Sequence, residues 1–185
     1  MTFLSLCEAD FDKWTLTKQI TSAYIELISS LGKYAEWVQI DEPILALDLS
    51  AEQAEAFIKI HKEIKEKTSP KLILASHYKD AEENAELVFN TGYDVFHTDI
   101  TRVKSLDFLK SMPKDMSLSA GIIDGRNIWK ADLKSCFKTV QSIIEQLGSS
   151  RVMLSSSCSL LHVPVDLNLE TALHDDVKNR LAFAV

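Results

Sequence analysis

Six times along this chain a short, nearly continuous apolar run is followed by a segment with helical periodicity. The runs are Met1–Leu6, Trp37–Ile40, Lys71–Tyr78, Val95–Ile100, Ser117–Ile123 and Arg151–Ser156. A strand that is apolar on both faces is buried on both faces, and strands that alternate with helices form parallel sheets with helices outside. The pattern predicts an α/β fold of six parallel strands alternating with helices in a single domain over residues 1–185. Between the strands, Trp14–Leu31 reads as a helix whose apolar residues Ile20, Tyr24, Leu27 and Leu31 recur at helical spacing, with Gly32 as its C′ residue. Ser50 and Gln53 form a capping box ahead of Ala54, Phe57, Ile58 and Ile64. Asp80 with Glu83 is expected to cap a helix running to Asn90. Further helices are expected over Ser105–Met112, Ala131–Leu147 and Leu173–Val185.

In parallel α/β proteins the chemistry gathers at the carboxyl ends of the strands. One stretch makes this point sharply. Trp37–Ile40 runs straight into Asp41 and Glu42, and Pro43 stops the strand because it has no N–H for the ladder. Adjacent strand residues point to opposite faces, so at most one of the two carboxylates faces a common pocket. Asp41 either binds an amine or acts as a base there, or it pairs with a neighbouring cation; Glu42 has the same alternatives.

Other strand ends are polar too. His77, Asp99 and Cys158 close three different strands, and imidazole, carboxylate and thiolate together suit Zn²⁺. His162 would be a fourth ligand. The alternative is a buried polar cluster without metal. His97 shares a face with Asp99 and reads as a core histidine, whereas His61 and His174 fall on helix faces and are expected in solvent. After the fifth run comes a dense polar loop with Asp124, Arg126 and Asn127. Arg126 can clamp a carboxylate bidentately, or pair with Asp124 or Asp132 and hold the loop. Ser155–Ser157 lacks a G-x-S-x-G elbow, and no phosphate-binding glycine pattern occurs.

Composition removes several classes. A net charge of −7 with no basic stripe argues against a nucleic-acid or anionic-membrane surface. No apolar run is long enough for a membrane span. Cys7, Cys136 and Cys158 are odd in number and far apart, which suits a reduced, cytoplasmic chain, and the start lacks the marks of a signal peptide.

Three stretches, Glu36–Pro43, Ala120–Leu133 and Ser156–Leu167, together resemble the amino-terminal domain of cobalamin-independent methionine synthase, in order and in spacing. The resemblance runs over nearly the whole chain. It implies a (β/α)8, TIM-barrel-like domain, one of two barrels related by duplication. In that family the other barrel holds zinc and carries the methyl transfer from methyltetrahydrofolate polyglutamate to homocysteine. The amino-terminal barrel braces the site and helps bind the glutamate tail. This chain is far shorter than the family's enzymes. It would begin inside the third barrel strand and lack the catalytic barrel, so an incomplete barrel, a fragment inactive alone, is expected. By analogy with the sister barrel, Asp41 falls on a substrate-amine position, Asp99 on a zinc Glu, and His77 and Cys158 on zinc cysteines. Ala75 falls on the zinc His, so a vestige without a working metal site is implied. The expected pocket comprises Asp41, Glu42, His77, Asp99, Asp124, Arg126, Asn127 and Cys158, with no cofactor in this chain. Expected partners are a folate polyglutamate, and a second copy or another polypeptide joined through exposed sheet edges.

Overall fold

The computed structural model describes residues 1–79, 81–161 and 163–181. Five strands, β1 (Trp37–Asp41), β2 (Lys71–Ala75), β3 (Val95–Asp99), β4 (Ser117–Ile123) and β5 (Val152–Ser156), form one parallel sheet in sequence order. The helices are α1 (Thr2–Leu6), α2 (Thr17–Leu31), α3 (Ala51–Lys67), α4 (Ala85–Phe89), α5 (Leu133–Leu147) and α6 (Asp175–Lys178).

The pairing register sorts the side chains into two faces. Ile40, Leu74, Phe96, Leu118 and Ala120 lie on one face and pack with Ile28, Phe57, Ile64, Val88 and Ile143 from the helices. Burying each large side chain stabilises the fold by roughly 1.5–3 kcal/mol. The other face carries the row Asp41, Ala75, His97, Ser119 and Met153. Local signals set the helix boundaries. Ser50 and Gln53 form the full capping box of α3, and the Asp132 side chain accepts from the Lys134 and Ser135 amides at the start of α5.

Three expectations are corrected. Met1–Leu6 is not a sixth strand. Thr2–Leu6 is a helical turn, with five strands in all among the described residues. A short apolar run fits strand or helix equally, and here a tether decides. The Met1 ammonium meets Glu42 Oε1 at 2.7 Å, while the Thr2 amide and hydroxyl donate to Oε2 at 2.7 and 2.6 Å. Leu173–Val185 is not one helix either: α6 has four residues, and Leu181 bridges antiparallel to Trp129. Residues 182–185 lie outside the described set, as does Asp80. Gly32 ends α2 at an ordinary φ of −60°, so it is needed for room and not for a left-handed turn. A Cβ there would lie 2.7 Å from Pro70 Cγ. Among the described residues no helix is long and apolar enough to cross a membrane.

Candidate functional site

The carboxyl ends of the strands do converge. Asp41 closes β1 and stays largely exposed, with Oδ1 accepting from Gln39 Nε2 at 2.7 Å and lying 3.4 Å from His77 Nε2. His77 follows β2, and its Nδ1 lies 3.3 Å from the Ser157 carbonyl oxygen. Beneath it, His97 in β3 stands 5.1 Å away between ring centroids and contacts Ser119 Oγ through Nδ1 at 3.0 Å. His97 Nε2 and the Ser76 hydroxyl are buried and have no hydrogen-bond partner among the described residues. Burial, reinforced by neighbouring His77, holds the His97 imidazole below its ordinary pKa, so it is neutral at pH 7.

Ser157 joins this half of the rim to the other. Its hydroxyl accepts from the Gly125 amide at 3.1 Å. Next to Gly125, Asp124 accepts from the Arg126 amide at 2.9 Å, from Asn127 Nδ2 at 2.8 Å and from Arg102 Nη2 at 3.1 Å. Arg102 Nη1 also donates to fully buried Asp99 at 3.1 Å, and Asp99 accepts from the Thr101 amide and hydroxyl. For Asp124 burial, the largest single influence, would raise the pKa, but the Arg102 ion pair and the hydrogen bonds from the Arg126 amide and Asn127 together outweigh it and hold the carboxyl below its usual range. The bond to Asp124 raises the Arg102 guanidinium. The chain folds this tightly because Gly121 has no side chain. A Cβ there would lie 2.7 Å from Ser157 Cα and 2.9 Å from the Thr98 carbonyl oxygen.

Asp41, His77, Asp99, Asp124, Arg126 and Asn127 therefore belong to one connected rim. Arg126 turns to the residue that follows His77. It donates to the Tyr78 carbonyl at 2.6 Å and lies over the Tyr78 ring, whose residue sits at φ +74°. Cys158 is buried under the loop, its Sγ directed to the Ser159 carbonyl. Glu42 leaves the set altogether. It points into the helix layer, beside the Met1 ammonium and 3.3 Å from His61 Nε2, and that buried histidine meets Tyr93 Oη through Nδ1 at 3.0 Å. Burial would raise the Glu42 pKa, but His61 and the ammonium outweigh it and hold the carboxyl at about 2. His61 is thus not in solvent, and burial pushes its own pKa down. A small cavity of about 20 Å³ lies behind Glu42, on this side of the sheet and away from the rim.

The candidate zinc ligands do not come together among the described residues. Among the described residues no three His, Cys, Asp or Glu side chains are placed to hold a metal ion, and His162 lies outside that set. Asp99 is taken up by Arg102 and Thr101, and Cys158 by its own loop. Arg102 and Ser119 are not among the candidates from sequence, and Ser157 stands there only as one of a run of serines without a nucleophile elbow. Of these only Arg102 had a signal, three residues beyond Asp99 in the turn after a strand.

Parallel strands whose polar tips form one hydrogen-bonded rim define a protein of the TIM-barrel-like α/β class. Within that class the chain belongs to the family described as Cobalamin-independent synthase, N-terminal domain, which residues 1–148 match. It is 35% identical to the 5-methyltetrahydropteroyltriglutamate–homocysteine methyltransferase of Syntrophotalea carbinolica, over 100% of this chain and 25% of that enzyme. The enzymes of the same name from Acidithiobacillus ferrooxidans and Xylella fastidiosa are 38% and 41% identical, over 96% and 91% of this chain and 23% of each enzyme. The chain spans about a quarter of the length of the curated relatives it matches. In fold it is similar to a B12-independent methionine synthase from Shewanella sp. W3-18-1, with a TM-score of 0.70 at 12% identity, over 94% of this chain and 53% of that one. A methyltransferase from Methanosarcina mazei follows at a TM-score of 0.59 and 10% identity, over 80% of this chain and 47% of that one.

Proposed function

We propose that this chain is part of the first, non-catalytic barrel of a cobalamin-independent methionine synthase and has no methyltransferase activity alone. The reaction it serves moves a methyl group from 5-methyltetrahydropteroyltriglutamate to homocysteine. The observation that carries this reading is the extent of the likeness: the relatives are 35–41% identical across nearly all of this chain, yet it matches only about a quarter of them. The geometry supports a bracing role. Methyl transfer to a thiol needs an activated thiolate, and in the family that work belongs to the zinc of the other barrel. The rim carboxylates here are already engaged, Asp99 and Asp124 by Arg102 and Asp41 by Gln39 and His77. This reading places the protein in the cytoplasm, with no cofactor of its own. The purified chain, incubated with the methylated triglutamyl folate and homocysteine, is expected to form no methionine. Turnover without an added partner contradicts the proposal.

A second reading has an observation of its own. His97 Nε2 and Ser76 Oγ, buried beside the Asp41–His77 pair and without a hydrogen-bond partner among the described residues, suit a small accessory protein that binds a folate or an amino acid at the rim. Calorimetric titration with folyl-polyglutamate and with homocysteine separates the two readings. A saturable heat with either ligand that is lost in Asp41→Asn supports the second, and flat titrations remove it.

A further inference from the structure

We infer that Arg126 is a positioning residue for His77: it latches the strained turn after β2 and so aims the imidazole across the rim. The strain lies in the backbone. Tyr78 has φ +74°, the one positive value at a non-glycine residue among those described. Left-handed backbone is unfavourable for a residue with a Cβ, and a turn that needs only that geometry takes glycine or asparagine. Such a conformation persists where its surroundings over-determine it. Here the Arg126 guanidinium supplies the constraint. Its Nη1 donates to the Tyr78 carbonyl oxygen at 2.6 Å, a short, charge-assisted bond, and the guanidinium lies 5.8 Å from the Tyr78 ring centroid.

Arg126 can act as a latch because its own loop is fixed. Asp124 accepts from the Arg126 amide at 2.9 Å and from Asn127, and Arg102 ties Asp124 to Asp99 of β3. The Gly125 amide donates to Ser157 Oγ, and a Cβ at Gly125 would lie 2.8 Å from the Cys158 carbonyl oxygen, so the loop is seated on the segment after β5. His77, by contrast, is held loosely. Its polar contacts, to Asp41 and to the Ser157 carbonyl oxygen, are 3.4 and 3.3 Å, long for a hydrogen bond. Neither fixes the ring. Its direction is set by the backbone of the turn and by the Tyr78 ring, which meets it edge-on at 6.0 Å between centroids. The Arg126 guanidinium, the Tyr78 ring, His77 and His97 thus stand in one file. His77 reaches from the end of β1 to the segment after β5, so releasing the latch would part the rim into two halves. The inference rests on neither reading of function.

Nuclear magnetic resonance of the full chain tests it. The readouts are the His77 ring nitrogens, the proton contact between the His77 and His97 rings, and the Tyr78 backbone shifts, which report the sign of φ. A residue that only stabilised the fold would leave all three unchanged. In Arg126→Ala, at an exposed position, losing a hydrogen bond from a charged group is expected to shift the turn about tenfold or more toward negative φ. The contact between the two histidine rings should weaken with it, while circular dichroism stays unchanged. Arg126→Lys keeps a charged donor and is expected to restore most of the contact. Glycine takes both signs of φ about equally. In a Tyr78→Gly background Arg126→Ala is therefore expected to leave His77 in place several-fold more often than it does with tyrosine. Should Arg126→Ala fail to fold, Arg126→Gln is read in both backgrounds in the same way. Unchanged His77 and Tyr78 signals in Arg126→Ala overturn the inference, and so does a lysine no better than alanine. An equal effect in the tyrosine and glycine backgrounds also overturns it, because Arg126 would then not act through the turn.

Discussion

At one edge of the sheet β1 is furnished with polar contacts; at the other, β5 presents bare apolar surface. Lys71 lies 4.8 Å over the Trp37 ring and pairs with Glu36, and the carboxyl end of β1 is tied to α1 through Glu42. Among the described residues Met153 and Leu154, 44% and 60% exposed, have nothing comparable. Both strands end the parallel sheet among those residues, and of the two β1 is the one that carries cover. An edge completed within the chain contributes to monomer stability, whereas an uncovered apolar edge contributes chiefly when something docks on it.

Three experiments break or sharpen that contrast. The largest effect is expected from Glu42→Gln. It leaves the buried Met1 ammonium without a counter-charge, and removing one partner of a buried pair costs about 3–5 kcal/mol. Urea unfolding should show that loss, and a loss under about 1 kcal/mol would mean β1 is not held by this tether. Acid comes next. The Glu42 pKa is depressed to about 2 when folded, so its contribution is present above its ordinary pKa and fades as pH falls through the folded value. Conversion of that shift gives about 3 kcal/mol lost from near pH 5 down to pH 2. His61 adds in the same direction. Its folded pKa is also lowered, so the unfolded chain takes up its proton first and stability begins to drop below about pH 6.5. Glu42→Gln should flatten the lower part of the profile. The smallest effect belongs to the other edge. Leu154→Lys, at a position 60% exposed, should move the unfolding free energy by less than about 0.5 kcal/mol. A larger change would show that β5 already packs against something within the chain.

Much of the architecture was readable from residues alone, because β1 to β4 are apolar runs with abrupt polar ends and α3 announces itself with Ser50 and Gln53. Period-two geometry also forecast that Asp41 and Glu42 would part. What the chain order concealed was long-range. Nothing near Thr2–Leu6 reveals that Glu42, some forty positions on, will gather the Met1 ammonium, the Thr2 amide and the Thr2 hydroxyl and favour a helical turn. His61 looked like a surface residue on α3 because its partners Glu42 and Tyr93 come from other elements. The rim was visible as a list of polar strand ends, but its connectors were not. Ser157 is one serine among several in the sequence, and only folding sets its hydroxyl against the Gly125 amide.

The parting of Asp41 from Glu42 makes β1 intolerant of slippage. Insert or delete one residue ahead of them and the shorter acid would be swung into the interior while the longer one emptied into water. Aspartate, one methylene short, would reach the Met1 amine poorly, and Ile40 would lose its berth beneath the helices. Sequences aligned to this segment can therefore vary in side chain, but a gap placed inside it describes a different protein.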